Sequence, residues 1–273
     1  MSYFTDPFQY DFFSRALIVS VLIGALAGAI GPFVLVRRMA YIGQGMSQSV
    51  LGGVALGVVW GLDVYFGAAV AAALSAALIY FVRNRGVPVD TAIGIVASTM
   101  FAVGVAVVSS SRDRRLNSAN LLFGNVLGVD TEDIILVALV TLLAAVVLFR
   151  NYKTLLAVTH NASVAAAHGV RARVMEVVFS ALLAMVVVTA LRVLGVLLVA
   201  ATLLIPAATA TMTFKTFRHI TIASIALGTS FAIIGLFLSF HRNIASGPAI
   251  VLVGATVFVM NMLSNTSLRR TGA

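Results

Sequence analysis

Tyr152-Lys153-Thr154-Leu155-Leu156-Ala157-Val158-Thr159-His160-Asn161-Ala162-Ser163-Val164-Ala165-Ala166-Ala167-His168-Gly169-Val170-Arg171-Ala172-Arg173 is a small-residue, weakly hydrophobic island between two long apolar blocks. The alanines favour a helix, and glycine is a favoured residue just past a helix end. The island therefore predicts a short helix over about 159–171, closing at Gly169. Arg150, Lys153, Arg171 and Arg173 flank it, which places it at a membrane surface rather than inside the bilayer. A membrane-spanning chain spends such a segment where a soluble partner docks.

The blocks on either side fix the solvent. Hydrophobic residues make up 61% of the chain and charged residues 10%, with a mean hydropathy of +1.08. A soluble domain is nearer half apolar and a quarter charged. The apolar runs approach 20 residues, the length of a helix that crosses the hydrocarbon core. The expected fold is all-α and polytopic, a single transmembrane domain over residues 1–273 with about eight to nine membrane helices. The nine candidate spans are 16–36, 46–62, 64–82, 91–109, 133–149, 174–191, 193–213, 220–240 and 247–264. Residues 112–129 begin polar, turn apolar at Leu121-Leu122-Phe123, and read as an interfacial or re-entrant piece. The first 14 residues carry Asp6 and Asp11 but no Lys or Arg, so they lack a basic leader and the first run reads as a retained span. There is no cysteine, hence no disulfide and no thiolate metal site.

The Lys/Arg bias orients the chain. With the N-terminus outside, 12 of the 18 basic residues fall at inner ends: Arg37, Arg38, Arg83, Arg85, Arg150, Lys153, Arg171, Arg173, Lys215, Arg218, Arg269 and Arg270. The Arg112–Arg115 cluster is the main dissent. The net charge of +9 is thus topology and attraction to anionic lipid headgroups, not nucleic-acid binding, because the charges are scattered over loops. Single-cysteine labelling checks this orientation. Cysteines at Ser163 and Ser267 are expected to react only from the cytoplasmic side, and those at Ser110 and Ser118 only from outside. Cytoplasmic reaction at position 110 would overturn the nine-span arrangement.

Gly24 with Gly28, and Gly53 with Gly57 and Gly61, repeat at helical spacing and predict faces where helices approach closely. None of the nine acidic residues sits mid-span; Asp63, Asp90, Asp133 and Glu176 fall near span ends. Ion-driven carriers usually keep an ionisable relay inside the membrane, so this pattern argues against one. Neither lysine, Lys153 or Lys215, follows a glycine, so no phosphate-binding loop is present and ATP hydrolysis would fall to a partner.

Four segments resemble the membrane subunits of bacterial ATP-binding-cassette importers for zinc, manganese and iron. The first is Arg37-Arg38-Met39-Ala40-Tyr41-Ile42-Gly43-Gln44-Gly45-Met46-Ser47-Gln48-Ser49-Val50-Leu51-Gly52-Gly53, similar to R-R-M-A-x-x-G-D-A-x-S-H-x-V-L-x-G. The second is the island itself. The third is Val193–Ala210, with its Ile205-Pro206-Ala207-Ala208-Thr209-Ala210 ending, and the fourth is Ser246-Gly247-Pro248-Ala249-Ile250-Val251-Leu252. Their order agrees with the family over roughly 15–265. The resemblance implies a non-enzymatic permease of the bacterial inner membrane, with two cytoplasmic ATP-binding subunits pressing on the island through Ala165, Ala166, His168, Gly169 and Val170. It also implies a second permease copy or a related chain, and an extracytoplasmic capture protein. No cofactor is expected on this chain, ATP being held by the partner.

The resemblance also implies a substrate pathway at Gln44, Ser47 and Gln48, where the family places an Asp/His pair suited to Mn²⁺, Zn²⁺ or Fe²⁺. Here both positions are glutamines, neutral and weaker metal ligands. A partner chain supplies the charged pair, or the ion is different or already chelated, or selectivity rests with the capture protein; alternatively the two amides join helices. Pro206 is expected to kink its helix near Thr202. His160, His168, His219 and His241 read as solvated or interfacial. The rival class is a carrier or facilitator that works without an ATPase.

Overall fold

The computed structural model describes residues 6–37, 40–61, 63–110, 129–195, 198–242 and 244–270. A one-turn 3₁₀ helix, Asp6–Gln9, precedes ten α-helices. They are α1 Asp11–Val36, α2 Ala40–Val59, α3 Val64–Arg83, α4 Val89–Ser110, α5 Thr131–His160, α6 Ala162–Ala167, α7 Ala172–Leu194, α8 Val199–Thr213, α9 Phe217–Arg242 and α10 Ser246–Arg270. Each of the nine expected spans corresponds to one helix, α6 being additional. Six of the described helices are both long and apolar enough to cross a membrane, while Thr91–Val107 and Val199–Thr213 are shorter apolar stretches. This defines a multi-pass membrane protein. The expected interfacial piece at 112–129 and the Arg112–Arg115 cluster lie almost wholly outside the described residues.

The helices form two compact units, and the chain passes between them at 37/38, 124/125, 152/153 and 200/201. In the first unit α1 lies against α9, and α9 against α10. The α1–α9 crossing is made by glycine. A Cβ on Gly24 would lie 2.5 Å from the Gly228 carbonyl oxygen, and one on Gly28 would lie 2.7 Å from the Ile225 Cα. Without a hydrophobic drive between helices in lipid, such backbone approach is what holds them. Phe13, Ile23, Ile30, Phe33, Leu203 and Leu236 are fully buried around it. Aromatic rings pin both ends. Phe13 meets Phe237 at 5.2 Å and Phe240 at 5.4 Å between centroids, while Phe33 meets Phe217 at 4.8 Å and Tyr152 at 5.9 Å.

In the second unit α2 packs on both α3 and α4, and α7 touches α2 and α3. A Cβ on Gly104 would lie 2.9 Å from the Gly52 nitrogen, and one on Gly67 would lie 2.6 Å from the Gly53 oxygen. Gly57 shares this contact; a Cβ there would lie 3.3 Å from the Gly67 Cα. Gly61 does not. It sits in the turn after α2 with φ +70° and open space around its Cα, so its glycine serves the left-handed turn, not helix packing. Asp63 then caps α3, accepting from the Tyr65 and Phe66 amides at 2.8 and 3.2 Å.

Substitution separates the packing glycines from the others. Gly28→Ala is expected to destabilise the chain by about 1–3 kcal/mol through overpacking. Gly94→Ala, with open space beside a helical glycine, is expected to gain roughly 1 kcal/mol of helix propensity. Thermal aggregation of the detergent-solubilised variants measures both. Equal melting for the two would refute the close α1–α9 crossing.

Candidate functional site

The island departs from its expected form. α5 does not stop at residue 149, the expected end of the span, but runs on through Tyr152 and Lys153 to His160. Asn161 then ends it and starts α6. Its Oδ1 accepts from the Ser163 and Val164 amides, both at 3.1 Å, and from the Ser163 hydroxyl at 2.8 Å. The expected single helix over 159–171 is therefore corrected to a six-residue helix, Ala162–Ala167, set off from α5 by this cap. The cap was readable, since asparagine ranks among the best N-cap residues.

The far end follows the expectation for Gly169. Its φ of +81° is the left-handed conformation glycine adopts freely. The Val170 amide donates to the Ala165 carbonyl at 3.1 Å and the Gly169 amide to the Ala166 carbonyl at 3.0 Å, the paired bonds of a Schellman ending. His168 is exposed, its Nδ1 lying 2.9 Å from the Val164 carbonyl oxygen. His160 makes the same contact with Leu156 at 3.0 Å.

This geometry gives α6 two faces. Ala165 is buried and α6 rests on α7. Ala166, Ala167, His168 and Gly169 are exposed, and Val170 is half-buried. Val164 is 53% exposed, a large apolar side chain on the outward side that the sequence reading did not single out. α6 is thus a short helix capped at both ends, seated on α7 through Ala165 and presenting Val164 and three small residues.

The second group lies near the start of α2. Positions 44 and 48 are one turn apart in a continuous helix. The Gln44 side chain lies outside the described residues, and Gln48 is half-buried. Ser47 is fully buried, and Ser49 is buried with its hydroxyl donating to the Gly45 carbonyl at 2.8 Å. Among the described residues no cluster of three or more His, Asp or Glu could hold a metal ion. The third feature, Pro206, is buried in the middle of α8, where it supplies no amide to the Thr202 carbonyl. Beyond it, Asn261 of α10 donates to the Thr213 hydroxyl at 3.0 Å and the Thr209 carbonyl at 3.4 Å, holding the end of α8.

The described residues thus form an all-helical membrane protein with a short, doubly capped helix, α6, exposed on one side. Residues 9–265 match the ABC 3 transport family, and the chain belongs to it. It is 37% identical over 257 residues to the manganese transport system membrane protein MntC of Listeria innocua, covering 93% of this chain and 91% of that one. It is 30% identical over 259 residues to a probable iron transport system membrane protein of Haemophilus influenzae, covering 94% and 92%. Its fold matches the structure of PsaBC from Streptococcus pneumoniae in complex with Fab with a TM-score of 0.88 at 31% identity, over 95% of this chain and 94% of that one.

Proposed function

We propose that this chain is the membrane-spanning permease subunit of an ATP-driven, binding-protein-dependent importer of divalent metal ions. Manganese is the first candidate, with iron and zinc behind it. The observation that carries this reading is 37% identity, over 93% of the chain, to a manganese transport system membrane protein; the exposed, capped helix α6 supports it as a place for a partner to dock. The permease is one membrane domain of eight to nine spans in the bacterial inner membrane. It pairs with a second copy or a related chain to enclose the pathway, with Gln44 and Gln48 beside it; Ser47, expected there too, is fully buried within the chain. Two ATP-binding subunits press on Ala166, His168, Gly169 and Val170, while Ala165, expected among them, is buried on the opposite face of α6; a capture protein delivers the ion from outside. The chain itself holds no ATP and no resident cofactor.

The rival reading, a carrier that works alone, finds less support. The acidic residues at the start of α5 serve that helix end: Asp133 accepts from the Asp130 amide at 3.1 Å, and Glu132 and Asp133 lie in the first turn, where the helix dipole favours them. Radiolabelled Mn²⁺, Zn²⁺ and Fe²⁺ uptake by a deletion strain, with and without the restored gene, tests the proposal. Restoration of Mn²⁺ uptake that depends on the partner ATPase is expected. Uptake that persists when the ATPase is inactivated would establish the rival.

A further inference from the structure

A groove of about 650 Å³ runs along the first unit between α1, α5 and α9. Ala25 and Ala29 of α1, Ala145 and Phe149 of α5, and Thr221 and Ile225 of α9 line it. Small residues on facing helices hold the groove open, while Phe33, Tyr152 and Phe217 close the helices together at one end. That volume falls within the roughly 300–1,000 Å³ of ligand pockets. Along α5 it extends from Thr141 to Tyr152, a rise of about 16 Å at about 1.5 Å per residue. One leaflet of a roughly 30 Å hydrocarbon core has the same depth. The groove is the right length for a single acyl chain.

Its chemistry is graded. The walls are almost wholly apolar, but Arg150 lines the end nearest the aromatic closure and is exposed. Lys153 follows three residues later on α5 and is also exposed. No acidic residue lines the groove, and those of α5, Glu132 and Asp133, lie beyond it at the start of that helix, about 26 Å from Arg150 for Asp133. The Tyr152 hydroxyl, beside Arg150 in sequence, is buried without a hydrogen-bond partner in the structure, as is the Thr141 hydroxyl at the other extreme. An apolar slot one leaflet deep, with an exposed guanidinium at its charged end, has the polarity of a phospholipid. Basic pockets between membrane helices on the cytoplasmic side are where anionic headgroups settle.

We propose that this groove holds one acyl chain of an anionic phospholipid, with its phosphate on the Arg150 guanidinium. A second copy of the chain suits the groove less well. A two-fold axis through the groove would set one concave surface against another and bring Arg150 towards its symmetry mate.

Native mass spectrometry of the full-length chain, released from membranes in mild detergent and exposed to phosphatidylglycerol or phosphatidylcholine, tests the proposal. One retained lipid is expected, with phosphatidylglycerol favoured roughly five-fold, the preference one basic residue confers near the surface. Arg150→Gln is expected to remove the preference while leaving retention. Ala145→Phe, which fills the groove from an exposed position, is expected to remove retention of both lipids. Equal retention of the two lipids by the parent, an unchanged preference in Arg150→Gln, or undiminished retention in a folded Ala145→Phe would each overturn it. A Val146→Cys disulfide formed between two copies in native membranes would do the same, by showing that protein fills the groove.

Discussion

Ala166→Glu is expected to abolish metal uptake while leaving the permease folded. Ala166 is exposed on α6, so a carboxylate there is solvated in the isolated chain and should not shift its melting. Under a docked ATP-binding subunit the same carboxylate would lose its water, and an unpaired buried charge costs several kcal/mol. A loss of about 3 kcal/mol weakens docking roughly a hundred-fold. Ala165→Glu provides the contrast. Its side chain is buried, so that variant is expected to melt early even without a partner. Gly169→Val acts through the backbone. A β-branched residue at φ +81° costs about 1–3 kcal/mol, enough to fray the Schellman ending without unfolding the unit. ATPase rate of the purified complex, with and without loaded capture protein, reports coupling, and circular dichroism melting reports the fold. Stimulation that survives Ala166→Glu would remove α6 from the motor interface.

The helices were legible because bilayer crossing imposes a length and a composition that single residues cannot disguise. Their ends were less so. The apolar run placed the first helix at residue 16, but α1 starts at Asp11; the fifth was placed to 149, but α5 runs to His160. Helix hydrogen bonds continue past the membrane wherever no residue stops them, and hydropathy does not register that. What stops them is local: Asn161 after α5, and Gly195 with φ +76° after α7. The latter separates α7 from α8, where the hydropathy reading began a span at 193. At the site, Gly169 was readable because a left-handed residue demands glycine, whereas Val164 was not, because exposure on a six-residue helix depends on which side rests on α7. The pairing of Gly24 and Gly28 with α9 was likewise beyond one sequence. Small-residue spacing marks a close face but carries no record of the helix that meets it.

Gln44→Asp together with Gln48→His is expected to raise metal retention by the purified permease at least about ten-fold, or roughly 1.4 kcal/mol. Both positions lie in α2 one turn apart, so ligands there converge on a common side of the helix. Amide oxygens are neutral. A carboxylate adds a full charge and an imidazole adds a nitrogen donor, the pair that suits Mn²⁺, Fe²⁺ and Zn²⁺. The parent is accordingly expected to release its ion quickly, with selectivity resting on the capture protein, and the double variant to bind more tightly and turn over more slowly. The single variants are expected to fall between parent and double, since each supplies one donor. Metal content by mass spectrometry, and uptake into reconstituted vesicles, read the two effects separately. Tight Mn²⁺ or Zn²⁺ binding by the parent at these glutamines would show that amides suffice. Parent-like retention and uptake in the double variant would show that Gln44 and Gln48 join helices and that the ion passes elsewhere.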